Sequence, residues 1–253
     1  MTLTSALAEL VRRPDESAFV TDYDGTLAPI VEDPVDARPL GAAVAALRSL
    51  IGRFGCVAVI SGRPVDFLQR VLPIDGLVLV GQYGLERLVD GEIVVDARAL
   101  GHRDAVASAR AEAGRAWPTL FIERKGDVAF TVHWRTDPSS EPAADELRAL
   151  ADRHGLVTIA GRKACEMRPP SDVDKGTAFR EVVQGYRHAA FAGDDRGDLA
   201  VFEVAPQLRG HTDVVCIAVR SAEAPPKLLD LADVVVDGPS ELAVLMAELA
   251  AAR

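Results

Sequence analysis

Short apolar runs that end abruptly at turn residues constrain the fold of this 253-residue chain more than any other feature. They lie near both ends of the chain, at residues 19–21, 56–60, 77–80, 189–192, 214–219 and 233–236. Helical patterns separate the first three of them. Short, fully apolar strands that alternate with helices are typical of a parallel sheet covered on both faces. We therefore predict an α/β fold with a doubly wound parallel sheet, and we expect functional residues at the carboxyl ends of its strands.

The middle of the chain has a different pattern. Residues 120–124 and 128–135 are typical of a hairpin, and Val128, Phe130, Val132 and Trp134 alternate onto one side of its second strand. Helical patterns at 103–116 and 141–154 flank the hairpin, and a second strand pair is predicted at 157–160 and 163–168. The sequence thus predicts an α+β cap domain at residues 87–169, inserted into a core made of residues 1–86 and 170–253.

Composition excludes several classes of partner. The formal net charge of −10 argues against a nucleic-acid-binding surface, which needs a basic footprint. No apolar run approaches the length of a signal peptide or a membrane span, so we expect no membrane partner. The three cysteines are far apart and the five histidines lack zinc-like spacing. A reduced, cytoplasmic setting is expected.

Two carboxylates follow the first apolar run, in the order Asp22, Tyr23, Asp24, Gly25, Thr26. Side chains repeat every two residues along a strand, so Asp22 and Asp24 are expected on the same side of its end. Paired carboxylates are tolerated where a cation neutralises them or one carries a proton, and oxygen ligands suit Mg²⁺. The alternative is a solvated acidic turn, since Asp and Gly are common in turns.

Three further polar signals stand at strand ends or helix starts: Ser61 with Gly62 and Arg63, then Lys175, then Asp194 and Asp195 with Asp198. Each has a structural alternative. Ser61 could cap the next helix, Lys175 could lie on the surface, and Asp194 and Asp195 could be turn residues. Asp198 could be an acidic residue that a helix N-terminus favours.

In order and chemistry, these four signals resemble the haloacid dehalogenase superfamily of phosphohydrolases. The resemblance implies that Asp22 attacks phosphorus to form an aspartyl-phosphate and that Asp24 acts as acid and base. It implies that Ser61 and Lys175 bind phosphoryl oxygens. It also implies a Mg²⁺ site at Asp22, the backbone carbonyl of Asp24 and Asp194, with Asp195 and Asp198 as outer or secondary ligands.

The predicted cap resembles the trehalose-6-phosphate phosphatase family. The resemblance rests on the segments Gly81-Gln82-Tyr83-Gly84-Leu85-Glu86, His133-Trp134-Arg135 and Gly161-Arg162-Lys163, and on Glu166 and Arg168-Pro169. It implies sugar-binding residues at Arg63, Gln82, Tyr83, Glu86, His133, Arg135, Arg162, Lys163 and Glu166. Lys163 and Glu166 could instead form a surface ion pair, and as residues three apart on a strand they are expected on opposite faces. His133 and Arg135 could be solvated.

The chain departs from the family pattern at three positions: Tyr83 replaces a usual His, Gly197 a usual Thr and Leu199 a usual Glu. The leading hypothesis is a Mg²⁺-dependent phosphatase, monomeric, that hydrolyses trehalose 6-phosphate. The departures leave open a phosphatase for another sugar phosphate. Three further hypotheses are a non-catalytic sugar-phosphate-binding protein, a phosphomutase and a phospho-acceptor of the response-regulator type, and the cap argues against the last.

Overall fold

The structure, a computed structural model, describes residues 5–31, 34–161, 163–221 and 224–252. Arg162 therefore lies outside the described residues. The strands are β1 Ser17–Thr21, β2 Cys56–Ile60, β3 Val78–Gly81, β4 Glu86–Val89, β5 Glu92–Val95, β6 Phe121–Lys125, β7 Ala129–His133, β8 Val157–Gly161, β9 Ala164–Arg168, β10 His188–Gly193, β11 Asp213–Arg220 and β12 Val234–Asp237. The α-helices are α1 Ala8–Arg12, α2 Gly41–Ile51, α3 Val65–Val71, α4 Ala97–Leu100, α5 Arg103–Ala116, α6 Ala144–Arg153, α7 Lys175–Val182, α8 Leu199–Val204, α9 Pro226–Leu231 and α10 Gly238–Ala251.

The larger sheet has eight strands in the order β12-β11-β10-β1-β2-β3-β4-β5, and all pairs from β12 to β3 are parallel. Strand β1 lies in the middle and is buried along its whole length. Its last residue, Thr21, aligns with Ala192 of β10 and Val59 of β2, so the carboxyl ends of these three strands lie side by side. The predicted doubly wound α/β class is confirmed.

Hydrophobic layers cover both faces of this sheet. On one face Phe19 and Val59 pack against apolar residues of α2 and α10, such as Leu47 and Leu242. On the other face the intervening strand residues pack against α7, α8 and α9, with Phe191 in edge-to-face contact with both Phe179 and Phe202. Burial on both sides explains why these strands are continuous apolar runs in the sequence.

A hairpin that the sequence analysis did not predict extends the sheet. Strands β4 and β5 pair antiparallel with β3 and with each other, joined through Asp90 and Gly91, which have φ values of 50° and 82°. Two consecutive positive φ values are typical of the type I′ hairpin turn. Residues 86–95 therefore belong to the larger sheet, and the cap's own sheet begins well after the expected boundary at residue 87.

The cap contains a four-stranded antiparallel sheet in the order β6-β7-β9-β8. Phe130, Val132 and Trp134 lie on the face that packs against α5 and α6, as the alternation in the sequence predicted. Trp117, after α5, packs against the same cluster. On the opposite face, Glu123, Thr131 and Glu166 form a row of polar side chains across three strands. Phe121 and His133 pair with each other on the same face.

The expected strand at residues 163–168 is one residue shorter at its start. Lys163 has a φ of 51° and lies in the turn before β9, so the expectation that Lys163 and Glu166 share a strand is wrong. Within the described ranges, no helix combines the length and the apolarity that crossing a membrane requires.

Candidate active site

The carboxyl ends of β1 and β10 bring several of the sequence-predicted residues together. Asp22 directly follows β1, and its backbone N–H donates to the carbonyl of Ala192 in β10 at 2.8 Å. Asp194 is likewise the first residue after its strand, β10. Lys175 is the first residue of α7, a helix whose N-terminus is capped by the Asp174 carboxylate. The strand register and one helix start therefore position the acidic and basic groups of the site.

Lys175 is a buried cation rather than a surface lysine. Its side chain is 3% exposed, and its Nζ lies 2.8 Å from Asp22 Oδ1 and 2.7 Å from Asp198 Oδ1. Burial alone would lower the pKa of Lys175, but the carboxylates of Asp198 and Asp22 outweigh burial and raise it well above its usual value. Lys175 is therefore a permanent positive charge between two aspartates.

Three buried aspartates form the acidic part of the site. Oxygen atoms of Asp22, Asp194 and Asp198 all lie within 4.8 Å of one another. Burial raises the pKa of Asp22 well above its usual value, that of Asp194 to about 7 and that of Asp198 to about 6, and the neighbouring carboxylates add to each shift. Lys175 supplies one positive charge, so a further cation would be needed for all three carboxylates to be ionised together.

The surroundings of Asp194 fit such a cation. A Cβ at Gly25 would lie 2.1 Å from Asp194 Oδ2, so only glycine allows this carboxylate to approach the Asp22–Asp24 turn. The hydroxyls of Thr26 and Ser221 donate to Asp194 at 3.1 and 3.2 Å and fix its orientation. Clustered carboxylate oxygens on rigid backbone are the donor set that Mg²⁺ prefers.

Asp198 lies closer to the centre of this group than the sequence analysis expected. It is fully buried, and its second oxygen accepts from the backbone N–H groups of Asp194 and Asp195 at 2.8 and 3.0 Å. The side chain of Asp195 is instead 53% exposed, and its Oδ1 accepts from the Gly197 N–H. Asp198 is thus buried within the group while Asp195 lies at its edge, although the sequence analysis gave both residues the same outer role.

Asp24 and Arg63 form a separate pair beside the buried aspartates. The guanidinium donates from both Nε and Nη2 to the Asp24 carboxylate, each at 2.7 Å. The Asp24 side chain is 41% exposed, whereas that of Asp22 is 4% exposed. The two carboxylates of the first motif thus have unlike surroundings.

Ser61 is buried at the end of β2, and its hydroxyl oxygen accepts from the Arg63 N–H at 3.2 Å. It does not cap the following helix, since α3 begins at Val65 after Pro64. The hydroxyl is thus held in the turn that also carries Arg63.

The segment Gln82–Gly84 is an unusual turn bound to the Ser61 loop. Gln82 and Tyr83 have positive φ values of 51° and 59°, which bulky residues rarely adopt. Their N–H groups donate to the carbonyls of Arg63 and Ser61 at 3.0 and 2.9 Å. The Tyr83 ring lies against Gly62, where a Cβ would be 2.6 Å from the ring.

Tyr83 also connects the core with the cap. The Arg168 guanidinium carbon lies 5.2 Å from the centre of the Tyr83 ring. On the other side, a Cβ at Gly197 would lie 3.7 Å from the same ring. The Tyr83 ring therefore lies between the Ser61–Arg63 loop, the Asp194–Asp198 loop and the cap.

Glu86 is held by the backbone of the core. Its Oε2 accepts from the Val65 N–H at the start of α3 at 2.9 Å, and the residue is 3% exposed. A Cβ at Gly126, in the β6–β7 turn, would lie 2.1 Å from Oε1. Burial raises the pKa of Glu86 to about 7.

The polar face of the cap sheet contributes residues that the sequence analysis missed. Lys125 donates to Glu166 Oε2 at 2.6 Å, and Glu123 lies 2.9 Å from the His133 ring, which stacks on Phe121. The alternation of Glu123 and Lys125 in β6 is a sequence signal for a shared face. Nothing in the sequence, however, shows that this face is covered.

The remaining predicted residues lie nearer the periphery. Arg135 donates to the carbonyl of Val31 in the core at 3.4 Å. Lys163 is exposed, and its carbonyl accepts from the Trp134 N–H at 3.0 Å. The prediction for Arg162 falls on a residue outside the described ranges.

A cleft of about 1040 Å³ opens between the core and the cap. Its lining includes Arg63, Phe67 and Glu86 from the core, and Phe121 and Glu123 from the cap. Because Arg63 is part of this lining, the cleft adjoins the Asp24–Arg63 pair. The cleft thus lies beside the partly exposed carboxylate of Asp24.

A parallel α/β sheet with an aspartate after its central strand and an inserted cap defines the class of haloacid dehalogenase-like hydrolases. Solved structures share the fold. One titled a trehalose-6-phosphate phosphatase related protein is 26% identical, with a TM-score of 0.74, over 92% of this chain and 97% of that one. The C-terminal domain of trehalose-6-phosphate phosphatase from C. albicans is 24% identical, with a TM-score of 0.76, over 98% of each chain.

The trehalose-phosphatase family model matches residues 20–229, and the chain belongs to that family. Trehalose-phosphate phosphatases of Mycolicibacterium paratuberculosis and Mycobacterium bovis are each 34% identical, over 74% and 78% of this chain. The matches cover 50% and 55% of those relatives. A protein of Mycobacterium tuberculosis named an uncharacterized glycosyl hydrolase is 35% identical over 76% of this chain and 15% of its own length. The chain thus spans about half the length of these phosphatase relatives.

Proposed function

We propose that this protein is a Mg²⁺-dependent phosphatase that hydrolyses trehalose 6-phosphate to trehalose and phosphate. The observation that carries the proposal is the buried group of Asp22, Lys175, Asp194 and Asp198 at the end of β1. Tyr83, which contacts the cap residue Arg168, lies close to this group. Membership of the trehalose-phosphatase family supports the choice of substrate.

Asp22 is the proposed nucleophile. An oxygen of its carboxylate attacks phosphorus in line with the sugar ester, the bond between phosphorus and the sugar oxygen breaks, and an aspartyl-phosphate forms. Lys175, 2.8 Å from Asp22, opposes the rise in pKa that burial causes, so it favours the ionised carboxylate, and it neutralises charge on the phosphoryl group. The Ser61 hydroxyl donates to a phosphoryl oxygen.

Asp24 is the proposed proton carrier. It gives a proton to the departing sugar oxygen, then takes one from the water that attacks phosphorus, and the bond to Asp22 breaks to release phosphate. Its partial exposure supports this division of labour, since the exposed carboxylate can exchange protons while the buried one attacks phosphorus. Arg63, which lines the cleft, holds the Asp24 carboxylate in place.

Asp22, Asp194 and Asp198 are the residues that would hold Mg²⁺, together with the backbone carbonyl of Asp24. A divalent cation would supply charge neutralisation for the phosphoryl group and lower the repulsion among the three carboxylates. Asp195 would support the site from outside through its bonds to the Gly197 and Asp198 N–H groups.

The cap sheet is the proposed sugar-binding surface. Glu123, Lys125 and Glu166 present carboxylate and ammonium groups on one face, and directional polar partners are what sugar hydroxyls need. His133, Gln82 and Tyr83 complete the surroundings. Because the cap residue Arg168 stacks on Tyr83, this face is held close to the phosphate-binding loop.

The test is phosphate release from a panel of sugar phosphates, with and without EDTA. We expect the highest kcat/KM for trehalose 6-phosphate, loss of activity in EDTA and recovery with Mg²⁺. Activity on another sugar phosphate and none on trehalose 6-phosphate would contradict the substrate but keep the reaction. Full activity in EDTA would contradict the metal.

A second candidate, a phosphatase for another sugar phosphate, is favoured by one observation. The Tyr83 ring fills the space between Gly62 and Gly197, and positions 83 and 197 are those where the family pattern has a His and a Thr. The side chains next to the proposed phosphate site therefore differ from the family pattern. The same substrate panel decides between the two candidates.

A further inference from the structure

Two buried polar atoms on paired residues of the cap sheet lack a hydrogen-bond partner among the described residues. They are Thr131 Oγ1 and Glu166 Oε1. Thr131 in β7 pairs directly with Glu166 in β9, and the two residues are only 4% and 6% exposed. Buried polar groups are nearly always hydrogen-bonded, so two groups without partners on paired residues call for an explanation.

The strand register identifies the residues next to Thr131 and Glu166. Glu123 is the partner of Thr131 on the other side, so Thr131 stands between two carboxylates. One oxygen of each carboxylate is occupied, Glu123 Oε2 by His133 and Glu166 Oε2 by Lys125. The hydroxyl of Thr131 and the remaining oxygen of Glu166 are left on the polar face of the sheet.

This face lies close to the loop that carries Ser61, the proposed phosphate-binding residue. Arg168, two residues after Glu166 on the same face of β9, stacks on Tyr83, and Tyr83 packs against Gly62 next to Ser61. Within the described ranges, the Nε of Arg168 and the Nε2 of the buried Gln82 also lack partners. The unsatisfied atoms thus include groups on both sides of the boundary between cap and core.

We propose that Thr131 is a specificity-determining residue that binds one ring hydroxyl of the substrate sugar jointly with Glu166. A carboxylate oxygen only accepts hydrogen bonds, whereas a threonine hydroxyl can donate one. A single sugar hydroxyl can therefore donate to Glu166 Oε1 and accept from Thr131 Oγ1, which satisfies both atoms at once. A phosphate oxygen has no proton to give the carboxylate and does not fit. This assignment rests on the proposed sugar-phosphatase function.

The test compares Thr131→Val, which removes the hydroxyl at almost constant volume, with Thr131→Ser, which keeps it. The substrates are the sugar phosphate that the wild type hydrolyses best and p-nitrophenyl phosphate, which has no sugar. We expect KM for the sugar phosphate to rise up to about tenfold in T131V with little change in kcat, since the hydrogen bond from the Thr131 hydroxyl to the sugar is lost while the bond to Glu166 remains. We expect T131S to stay close to wild type and p-nitrophenyl phosphate hydrolysis to be unchanged.

Thermal unfolding separates binding from structure. Valine removes an unsatisfied buried hydroxyl, so T131V without substrate should have a Tm no lower than that of the wild type. Thr158→Val is the matched control, because Thr158 pairs with Met167 and so lies on the opposite face of the same sheet. We expect it to leave KM unchanged.

The outcomes are distinct. An unchanged KM in T131V overturns the inference, as it would if a buried water were the only partner of these atoms. Equal losses on both substrates, or a marked fall in Tm, also overturn it. If trehalose 6-phosphate is not hydrolysed but T131V raises KM for another sugar phosphate, the proposed function fails and this inference stands. If no sugar phosphate is hydrolysed, both fail.

Discussion

Arg63 holds the Asp24 carboxylate with two parallel hydrogen bonds of 2.7 Å, and its guanidinium carbon lies 4.6 Å from the centre of the Phe67 ring. The planar guanidinium is thus fixed by a carboxylate at its edge and an aromatic ring at its face. This arrangement fixes Asp24, the more exposed aspartate of the first motif, beside the cleft between core and cap.

Arg63→Lys should lower kcat about ten- to a hundredfold while the protein stays folded. Lysine keeps the charge but cannot make the bidentate contact or the stacking, so Asp24 loses its fixed position. Steady-state kinetics on the best sugar phosphate measures the change. The control is Arg70→Lys, whose exposed guanidinium lies 5.9 Å from the same ring. Equal kcat values for R63K and wild type would show that Asp24 does not depend on Arg63.

Asp22→Asn should reduce turnover by a factor of about 10³ or more, because the amide cannot attack phosphorus as the carboxylate does. Single-turnover phosphate release is the measurement. Asp75→Asn, in the exposed turn before β3, serves as the control and should be as active as the wild type. Phosphate release by D22N at the wild-type rate would exclude the aspartyl-phosphate.

Asp198→Asn should weaken Mg²⁺ binding about ten- to a hundredfold, and Asp195→Asn should weaken it less. The reason is position: Asp198 shares the buried group with Asp22 and Asp194, whereas the Asp195 side chain is 53% exposed. Titration calorimetry with Mg²⁺ gives both affinities. A larger effect of D195N than of D198N would show that Asp195 is the closer of the two to Mg²⁺.

Glu86→Gln should flatten the dependence of stability on pH. The folded pKa of Glu86 is about 7, above the ordinary value of 4.5, so between these two values the folded state holds more protons than the unfolded chain. The wild type therefore loses up to about 3 kcal/mol of stability as pH rises through this window. The variant should not, since its amide stays neutral and can still accept from the Val65 N–H.

Urea unfolding at pH 5 and pH 8 measures this difference. The free energy of unfolding of E86Q relative to wild type should be higher at pH 8 than at pH 5. Glu92→Gln, at an exposed position of the same hairpin, is the control and should change little. If the relative stability of E86Q is the same at both pH values, Glu86 is ionised throughout.

The sequence predicted the parallel sheet well because strands buried on both faces must be apolar throughout. It missed β4 and β5, whose mixed polar and apolar residues follow from their position at the edge of the sheet. The Asp90-Gly91 pair was the available signal, since both residues adopt positive φ.

Sequence spacing was less informative for the site. It predicted the meeting of Asp22, Lys175 and Asp194 through strand ends, but Asp195 and Asp198 differ in burial in a way that depends on how the loop before α8 folds back. Lys163 was assigned to a strand because the sequence gives no signal for a positive φ at a lysine. The role of Lys125 depends on a tertiary contact with Glu166.

Both tryptophans of the chain, Trp117 and Trp134, pack in the hydrophobic cluster of the cap. Intrinsic fluorescence is therefore a local reporter of the cap, while far-UV circular dichroism averages over both sheets. Coincident urea transitions in the two signals would mean that cap and core unfold as one cooperative unit. An earlier fluorescence transition would mean that the cap melts on the intact core.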